Sequence, residues 1–470
     1  MLQLTGTEAM LIQQEGERQP QHIGLLLIYD PSSAPLQQVL YREILAALQR
    51  SLPSSRLFRR KLVTALRLQL PYWIEGEHFD FEYHVRHIAL PRPGGSAQLQ
   101  KLLARLHGVP LDLSRPLWEV YVIEGLSALP EHRETSFALL FKIHLAAVEK
   151  LDFPGLIDAI HTTTPEPAAT LQPDDWRPEP ALPAWRMLSR AYVDGVRQPT
   201  RLLRTAGAAL DSLRRRATPA DTTAAGAAGR TRFNASLGTE RVMGSIDIDQ
   251  AALSAIAQAV PGVTSDDVIA SIVGGALRRY LIEKAELPAE SLSAAVPVSV
   301  GRNTHGAAAR ARISLIKLSL GTTIDNPIER LSHIHSAARQ AQAGLRAVEA
   351  RHSPQPGDSD AARNSVFCLH QGALREVLER TPAPFNVLLS RLHCPTAPRY
   401  FSGAILQSVV ALGTLMDQIG LCHTATSGRD RTSISFVACR DMLPDPERYS
   451  ACLEQSLRQL QLATLRGRAP

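Results

Sequence analysis

The chain has 470 residues, 44% of them apolar and 20% charged, with a formal net charge of +6. That length exceeds one ordinary core and makes two domains the default, while the composition excludes a disordered or fibrous chain. The charge excess is too mild and dispersed to indicate nucleic acid, although it allows a basic face toward anionic lipid or an anionic thioester. No apolar run reaches about 18 residues, so no membrane-spanning helix is predicted. The opening residues, MLQLTGTEAMLIQQEGERQ, lack the basic-then-apolar order of a secretory signal. The expected address is cytoplasmic, with peripheral contact at the inner membrane or lipid bodies.

In chain order, residues 22–31 (HIGLLLIYDP) form an apolar run closed by a turn, which predicts a strand. Residues 36–52 carry apolar side chains at helical spacing and predict an amphipathic helix. Residues 79–90 (FDFEYHVRHIAL) alternate like a strand, with His84 and His87 on one side as structural residues. A helix from SAQLQKLLARLHGVPLD and a strand over 116–126 follow. The run Phe137, Ala138, Leu139, Leu140, Phe141 leads through Lys142 and Ile143 to His144 and reads as a buried strand delivering a polar residue to its end.

Between about 174 and 241 the character changes. A Pro-rich stretch precedes a helical segment bearing Arg186, Arg190, Arg197, Arg201, Arg204 and the run Arg214, Arg215, Arg216, and then a small, polar linker. The arginines fall along one helical side and read as a solvated interdomain helix or as an interfacial membrane helix. The second half predicts a strand and helix over 241–260 and a helix over 264–285. Strands over 294–300 and 311–320 follow, then a helix ending at Gly344. The final elements are strands in GAILQSVVAL and TSISFVACRD and a closing helix. Alternating elements in both halves indicate an α/β class, as two mixed-sheet sandwiches with a site between them.

Cys368, Cys394, Cys422, Cys439 and Cys452 match no metal or redox spacing and read as buried free thiols. The adjacent Asp266 and Asp267 read as a helix cap, and no metal site is predicted. Phosphate-loop and serine-elbow motifs are absent.

Several phrases together resemble the bacterial wax ester synthase/diacylglycerol acyltransferase family. They are LTGTEAMLI with QHIG, DFEYHVRHIALP, RLHGVPLDLSRPLWEVYVIEGL, TRFNASLG, SDDVIASIVGGALRRYL, VPVSV, LMDQIGL and VACRDMLPDPE. The likeness runs nearly end to end. It implies two chloramphenicol-acetyltransferase-like domains, 1–180 and 232–470, joined by a basic helical linker over 181–231. It also implies acyl transfer from acyl-CoA, as co-substrate and without a separate cofactor, to a fatty alcohol or diacylglycerol in neutral storage lipid synthesis. The family motif HHxxxDG corresponds to His144, Leu145, Ala146, Ala147, Val148, Glu149 and Lys150. In the family the second histidine takes the acceptor hydroxyl proton, a task suited to imidazole. Here that position is Leu145, Glu149 replaces aspartate, and Lys150 replaces a glycine suited to positive φ. His144 and Glu149 are thus the catalytic remnants, with a satisfied structural histidine as the other reading of His144. The resemblance further nominates Trp118, Asn386, Asp417 and Gly420 as substrate-binding residues. Trp118 also reads as a core anchor, and Asp417 and Gly420 as a turn beside an acyl tunnel. The alternative to an enzyme is a catalytically silent paralogue that binds lipid or a partner.

Overall fold

In a computed structural model, the described residues are 2–4, 6–52, 56–63, 71–75, 80–129, 133–148, 153–166, 229–302, 311–351 and 385–466. The Arg-rich linker, Cys368, Glu149 and Lys150 lie outside them. The strands in chain order are β1 (Leu2–Gln3), β2 (His22–Asp30), β3 (Arg60–Val63), β4 (Tyr72–Glu75), β5 (Val85–Ala89), β6 (Trp118–Glu124), β7 (Phe137–His144), β8 (Arg241–Asp249), β9 (Ser293–Arg302), β10 (Ala311–Ser319), β11 (Val387–His393), β12 (Tyr400–Phe401), β13 (Ala404–Leu412), β14 (Leu421–Ser427) and β15 (Arg431–Cys439).

Two six-stranded sheets dominate the described residues, in the orders β12-β13-β2-β7-β6-β5 and β10-β9-β11-β14-β15-β8. A smaller sheet, β1-β4-β3, lies beside them. Both large sheets are mixed: β5–β6, β9–β11 and β11–β14 run parallel and their other pairs antiparallel. The first sheet draws β12 and β13 from the second half of the chain, with β13 pairing along β2 from Asp30 to Gly24. The sequence boundary near 232 is therefore not a boundary between sheets.

The central strands β2 and β7 of the first sheet are buried on both faces, as their unbroken apolar runs require. Because side chains alternate, Leu25, Leu27, Tyr29, Leu139, Phe141 and Trp118 face one core together with Ile44, Leu48, Leu156 and Ile157 from the helices Tyr41–Ser51 and Phe153–Ile160. Leu26, Ile28, Leu140 and Tyr121 face the other way. They meet Leu99 and Leu103 of the helix Ser96–His107 in a core that continues into the second sheet. The helix Ser265–Glu283 is buried on most of its faces because it lies among the second sheet, the helix Pro327–Arg351 and the closing helix Pro446–Arg466. Its start is capped reciprocally by Thr264 and Asp267, while Asp266 pairs with Arg391.

Four expectations need correction. The 79–90 segment turns through a short helix, Phe81–His84, before β5, because the Asp80 carboxylate accepts the Tyr83 N–H at 3.2 Å and holds a helical turn. His84 is consequently buried against Trp118, whereas His87 is exposed, stacks on Tyr41 and pairs with Glu124 at 3.0 Å. The first amphipathic helix begins at Tyr41 rather than 36, after two 3-10 turns in which Leu36 adopts φ 60°. The helix over Gly344 continues to Arg351, since one interior glycine costs about 1 kcal/mol and the following LRAVEAR favours helix.

Candidate active site

β7 carries His144 to the edge of the lobe junction, and Leu145 opens a four-residue helix, Leu145–Val148. The Leu145 N–H donates to Gln21 O at 2.8 Å, and the Ala146 N–H donates to His144 Nδ1 at 3.0 Å. With Nδ1 accepting, the ring proton belongs on Nε2, which faces Glu15 Oε2 at 3.3 Å. That same carboxylate oxygen accepts the Gln21 N–H at 2.5 Å. His144 is fully buried; its Nδ1 accepts an amide N–H, while its Nε2 lies beside the Glu15 carboxylate without a hydrogen bond to it.

Register places His22 opposite His144 and Gly24 opposite Lys142, so His22, Lys142 and His144 share one face. His22 Nε2 donates to His107 O at 2.9 Å, and His107 Nε2 donates to Gly413 O at 2.9 Å. The two rings meet edge to face with centroids 4.8 Å apart. Burial pushes the His107 imidazole down to about 4, and burial followed by the His107 and Lys142 charges lowers His22 well below the usual histidine range. Lys142 donates to Val109 O at 2.5 Å and lies 3.4 Å from Glu119 Oε2, which also accepts the Tyr121 hydroxyl at 2.7 Å. Burial lowers the Lys142 amine and outweighs the pull of Glu119. Sequence reading missed this set of Glu15, His22, His107, Glu119 and Lys142. His22, His107 and Glu119 stand in phrases legible only as scaffold, and Lys142 only as part of a strand.

The other nominated residues sit elsewhere. Trp118 pairs in register with Ile143, which puts it on the sheet face opposite His144. There its Nε1–H donates to Phe58 O at 2.9 Å, and its ring packs against Phe58 and His84. Trp118→Ala is expected to lower stability by about 3–5 kcal/mol through the cavity it leaves, measured by urea unfolding. Asn386 is buried with both ends of its amide engaged. Its Oδ1 accepts Ser293 N–H at 2.8 Å, and its Nδ2 donates to Gly229 O at 2.7 Å and Asn234 Oδ1 at 3.0 Å. Asp417 accepts the Leu237 N–H at 3.1 Å, and the Gly420 N–H donates to Phe233 O at 2.9 Å. A Cβ at Gly420 would collide with Met442. These three residues clamp the 229–238 segment onto the second lobe.

The second half of the chain carries two further histidines on strands, His423 of β14 and His393 of β11. On β14, Cys422 and Thr424 face Gly413 and Thr426 bonds the Ala411 N–H, so the first lobe's β13 lies on their side. His423 therefore points the opposite way, to the Tyr449 hydroxyl at 2.8 Å, and burial lowers it to about 4. His393 ends β11 in an exposed position. The four described cysteines are free, with burial raising Cys394 and Cys422 to about 12 and Cys452 to about 11. Among the described residues no cluster of three or more His, Cys, Asp or Glu is arranged to hold a metal, and no helix is long and apolar enough to cross a membrane.

Residues 4–269 match the wax ester synthase/diacylglycerol acyltransferase catalytic domain, and residues 311–461 match the C-terminal domain of the same family. The chain belongs to this family. A provisionally named diacylglycerol O-acyltransferase of Mycobacterium tuberculosis is 32% identical, over 98% of this chain and 99% of that protein. The wax ester synthase/diacylglycerol acyltransferase of Marinobacter aquaeolei VT8 superposes with a TM-score of 0.68 at 26% identity, covering 98% of this chain and 99% of that one. The starter condensation domain of rhizomide synthetase, at 15% identity and a TM-score of 0.52 over 99% of this chain and 94% of that one, shares the two-lobed, chloramphenicol-acetyltransferase-like fold.

In this wax ester synthase/diacylglycerol acyltransferase family member, a cleft of about 800 Å³ opens between the lobes. Leu26, Ile28, Leu99, Leu103, Leu129 and Leu412 line its apolar side. Leu412 pairs with Gly24, which lies opposite Lys142, so the wall begins two register positions from His144 and continues to Leu26, opposite Leu140, four positions away.

Proposed function

We propose that this chain is an acyl-CoA-dependent O-acyltransferase of neutral lipid synthesis whose hydroxyl-activating base is lost. The acyl chain lies in the apolar inter-lobe cleft and the thioester faces the end of β7. The acceptor is a fatty alcohol or diacylglycerol, met at the surface of a membrane or lipid droplet because such acceptors are insoluble. The acceptor oxygen forms its bond to the thioester carbonyl, the C–S bond breaks, and the hydroxyl proton leaves to water. The observation that carries the reading is a family frame whose motif differs at Leu145, Glu149 and Lys150, the chemically decisive difference being that a side chain with no lone pair stands where the family's imidazole stands. His144 does not replace it, because Nδ1 already accepts an amide N–H and Nε2 faces Glu15.

That inward engagement favours a second reading, a silent paralogue that binds lipid or a partner. Equilibrium binding of palmitoyl-CoA separates acyl-CoA use from other roles. Saturable binding that weakens when Leu103→Glu puts a charge on the apolar wall is expected, and no binding at all would remove both the enzymatic reading and an acyl-CoA-binding role.

A further inference from the structure

Leu145 cannot take a proton, so the groups around it decide which acceptor the turn can serve. The Leu145 N–H is held by Gln21 O at 2.8 Å, and the Gln21 N–H is held by Glu15 Oε2 at 2.5 Å. A single residue therefore links the Glu15 carboxylate to position 145. The same carboxylate oxygen lies 3.3 Å from His144 Nε2, and His22 stands opposite His144 in register. Beside His144, two buried acceptor atoms have no hydrogen-bond partner among the described residues: Glu15 Oε1 and His22 Nδ1. With His22 Nε2 donating to His107 O, its Nδ1 carries a lone pair.

Both acceptors are weak bases. Burial holds the His22 imidazole well below the usual histidine range, and a carboxylate accepts a proton only from groups far more acidic than an alcohol. The amine of Lys142 already donates to Val109 O and Glu119. An alcohol is about as poor an acid as water, with a pKa of about 15.7, and has to give up its proton as it attacks. A neutral amine attacks with its own lone pair and turns acidic only after its nitrogen is bonded, as an ammonium from which a weak base accepts readily. The Glu15 charge acts in the same sense, because it opposes a developing alkoxide and favours a developing ammonium.

We infer that the site beside His144 carries a second activity, transfer of the acyl group from acyl-CoA to the nitrogen of an apolar primary amine. This rests on the acyl-CoA reading given above and differs from it in the acceptor. The amine nitrogen forms its bond to the thioester carbonyl carbon, and the C–S bond breaks with its electron pair on sulfur. The ammonium proton leaves to the weak acceptors beside His144 and passes on to the departing thiolate. The products are an N-alkyl amide and the CoA thiol.

The test gives the full chain palmitoyl-CoA with hexadecylamine or hexadecanol, which differ only in the attacking group, and measures amide and ester by mass spectrometry after subtracting the protein-free rate. At pH 9 about 4% of an alkylamine of lysine-like pKa is neutral, enough to react. Amide formation in the parent is expected to exceed ester formation by about 10²-fold or more, the size of a missing general base. Leu145→His should close that gap by raising the ester rate while moving the amide rate by less than about tenfold. Glu15→Gln, which keeps an acceptor for the Gln21 N–H, should lower the amide rate about tenfold with palmitoyl-CoA still bound. Amide formed no faster than ester in the parent, equal gains toward both acceptors in Leu145→His, or an amide rate untouched by Glu15→Gln overturns the inference. If palmitoyl-CoA binds and neither product forms, the amine activity alone is overturned, whereas failure to bind palmitoyl-CoA removes the acyl-CoA reading with it.

Discussion

Leu145→His raises the rate of thiol release from palmitoyl-CoA, with hexadecanol or dioleoylglycerol as acceptor, by about 10²–10⁴-fold over the parent. The position is prepared for it. Leu145 starts a short helix, its backbone N–H is fixed by Gln21 O, and its side chain is only half-buried. An imidazole of similar size therefore enters without opening a cavity or stranding a buried polar group. Its ring supplies the proton acceptor that a leucine cannot. His144→Ala provides the control. Activity in the parent that this change abolishes would show that the surviving histidine has been recruited despite Ala146 and Glu15. Silence in both parent and Leu145→His, with palmitoyl-CoA still bound, would leave the lipid-binding reading.

Acid unfolds the chain in a window set by its buried histidines. His107 and His423 are held neutral near 4 in the folded state, against about 6.5 in the unfolded chain. Between those values the unfolded state binds more protons, so stability is complete above about pH 6.5 and falls as pH drops toward 4. Each ring contributes on the order of 3 kcal/mol to the loss, a large share of a typical 5–15 kcal/mol. Urea midpoints measured from pH 7.5 to 4 should fall across that window. His423→Gln, which keeps a partner for Tyr449 while removing one titration, should flatten the fall. An unchanged slope in that variant would move the cause to other groups.

Legibility in the sequence followed burial pattern. β2 and β7 are continuous apolar runs and were plain, as were the helices with one apolar stripe. β14, LCHTATS, was not read as a strand because it alternates small polar and apolar residues. It is buried all the same, since Cys422, Thr424 and Thr426 face the other lobe while His423 and Ala425 face helices. The strand-to-histidine frame of the site could be read from local order alone. The partners that decide what His144 does could not. Glu15 lies 129 positions away in the chain and reaches the ring only through the turn that leads from the first helix into β2. Trp118 shows the converse: it stands in a family phrase, and its strand parity puts it in the core, in line with its reading as a core anchor.

The return of β13 to pair with β2 has a consequence for synthesis on the ribosome. β2 and β7 emerge early, but the strand that covers β2's other edge lies near the end of the message. At ordinary elongation rates the row LLLI waits on the order of tens of seconds with its backbone amides and carbonyls unanswered. An apolar edge of that kind recruits whatever strand comes near, including the same strand of a neighbouring nascent chain. The first half of this protein is therefore a poor candidate for folding by itself, and yield in a cell should depend on how well the growing chain is sheltered until residue 412 is free.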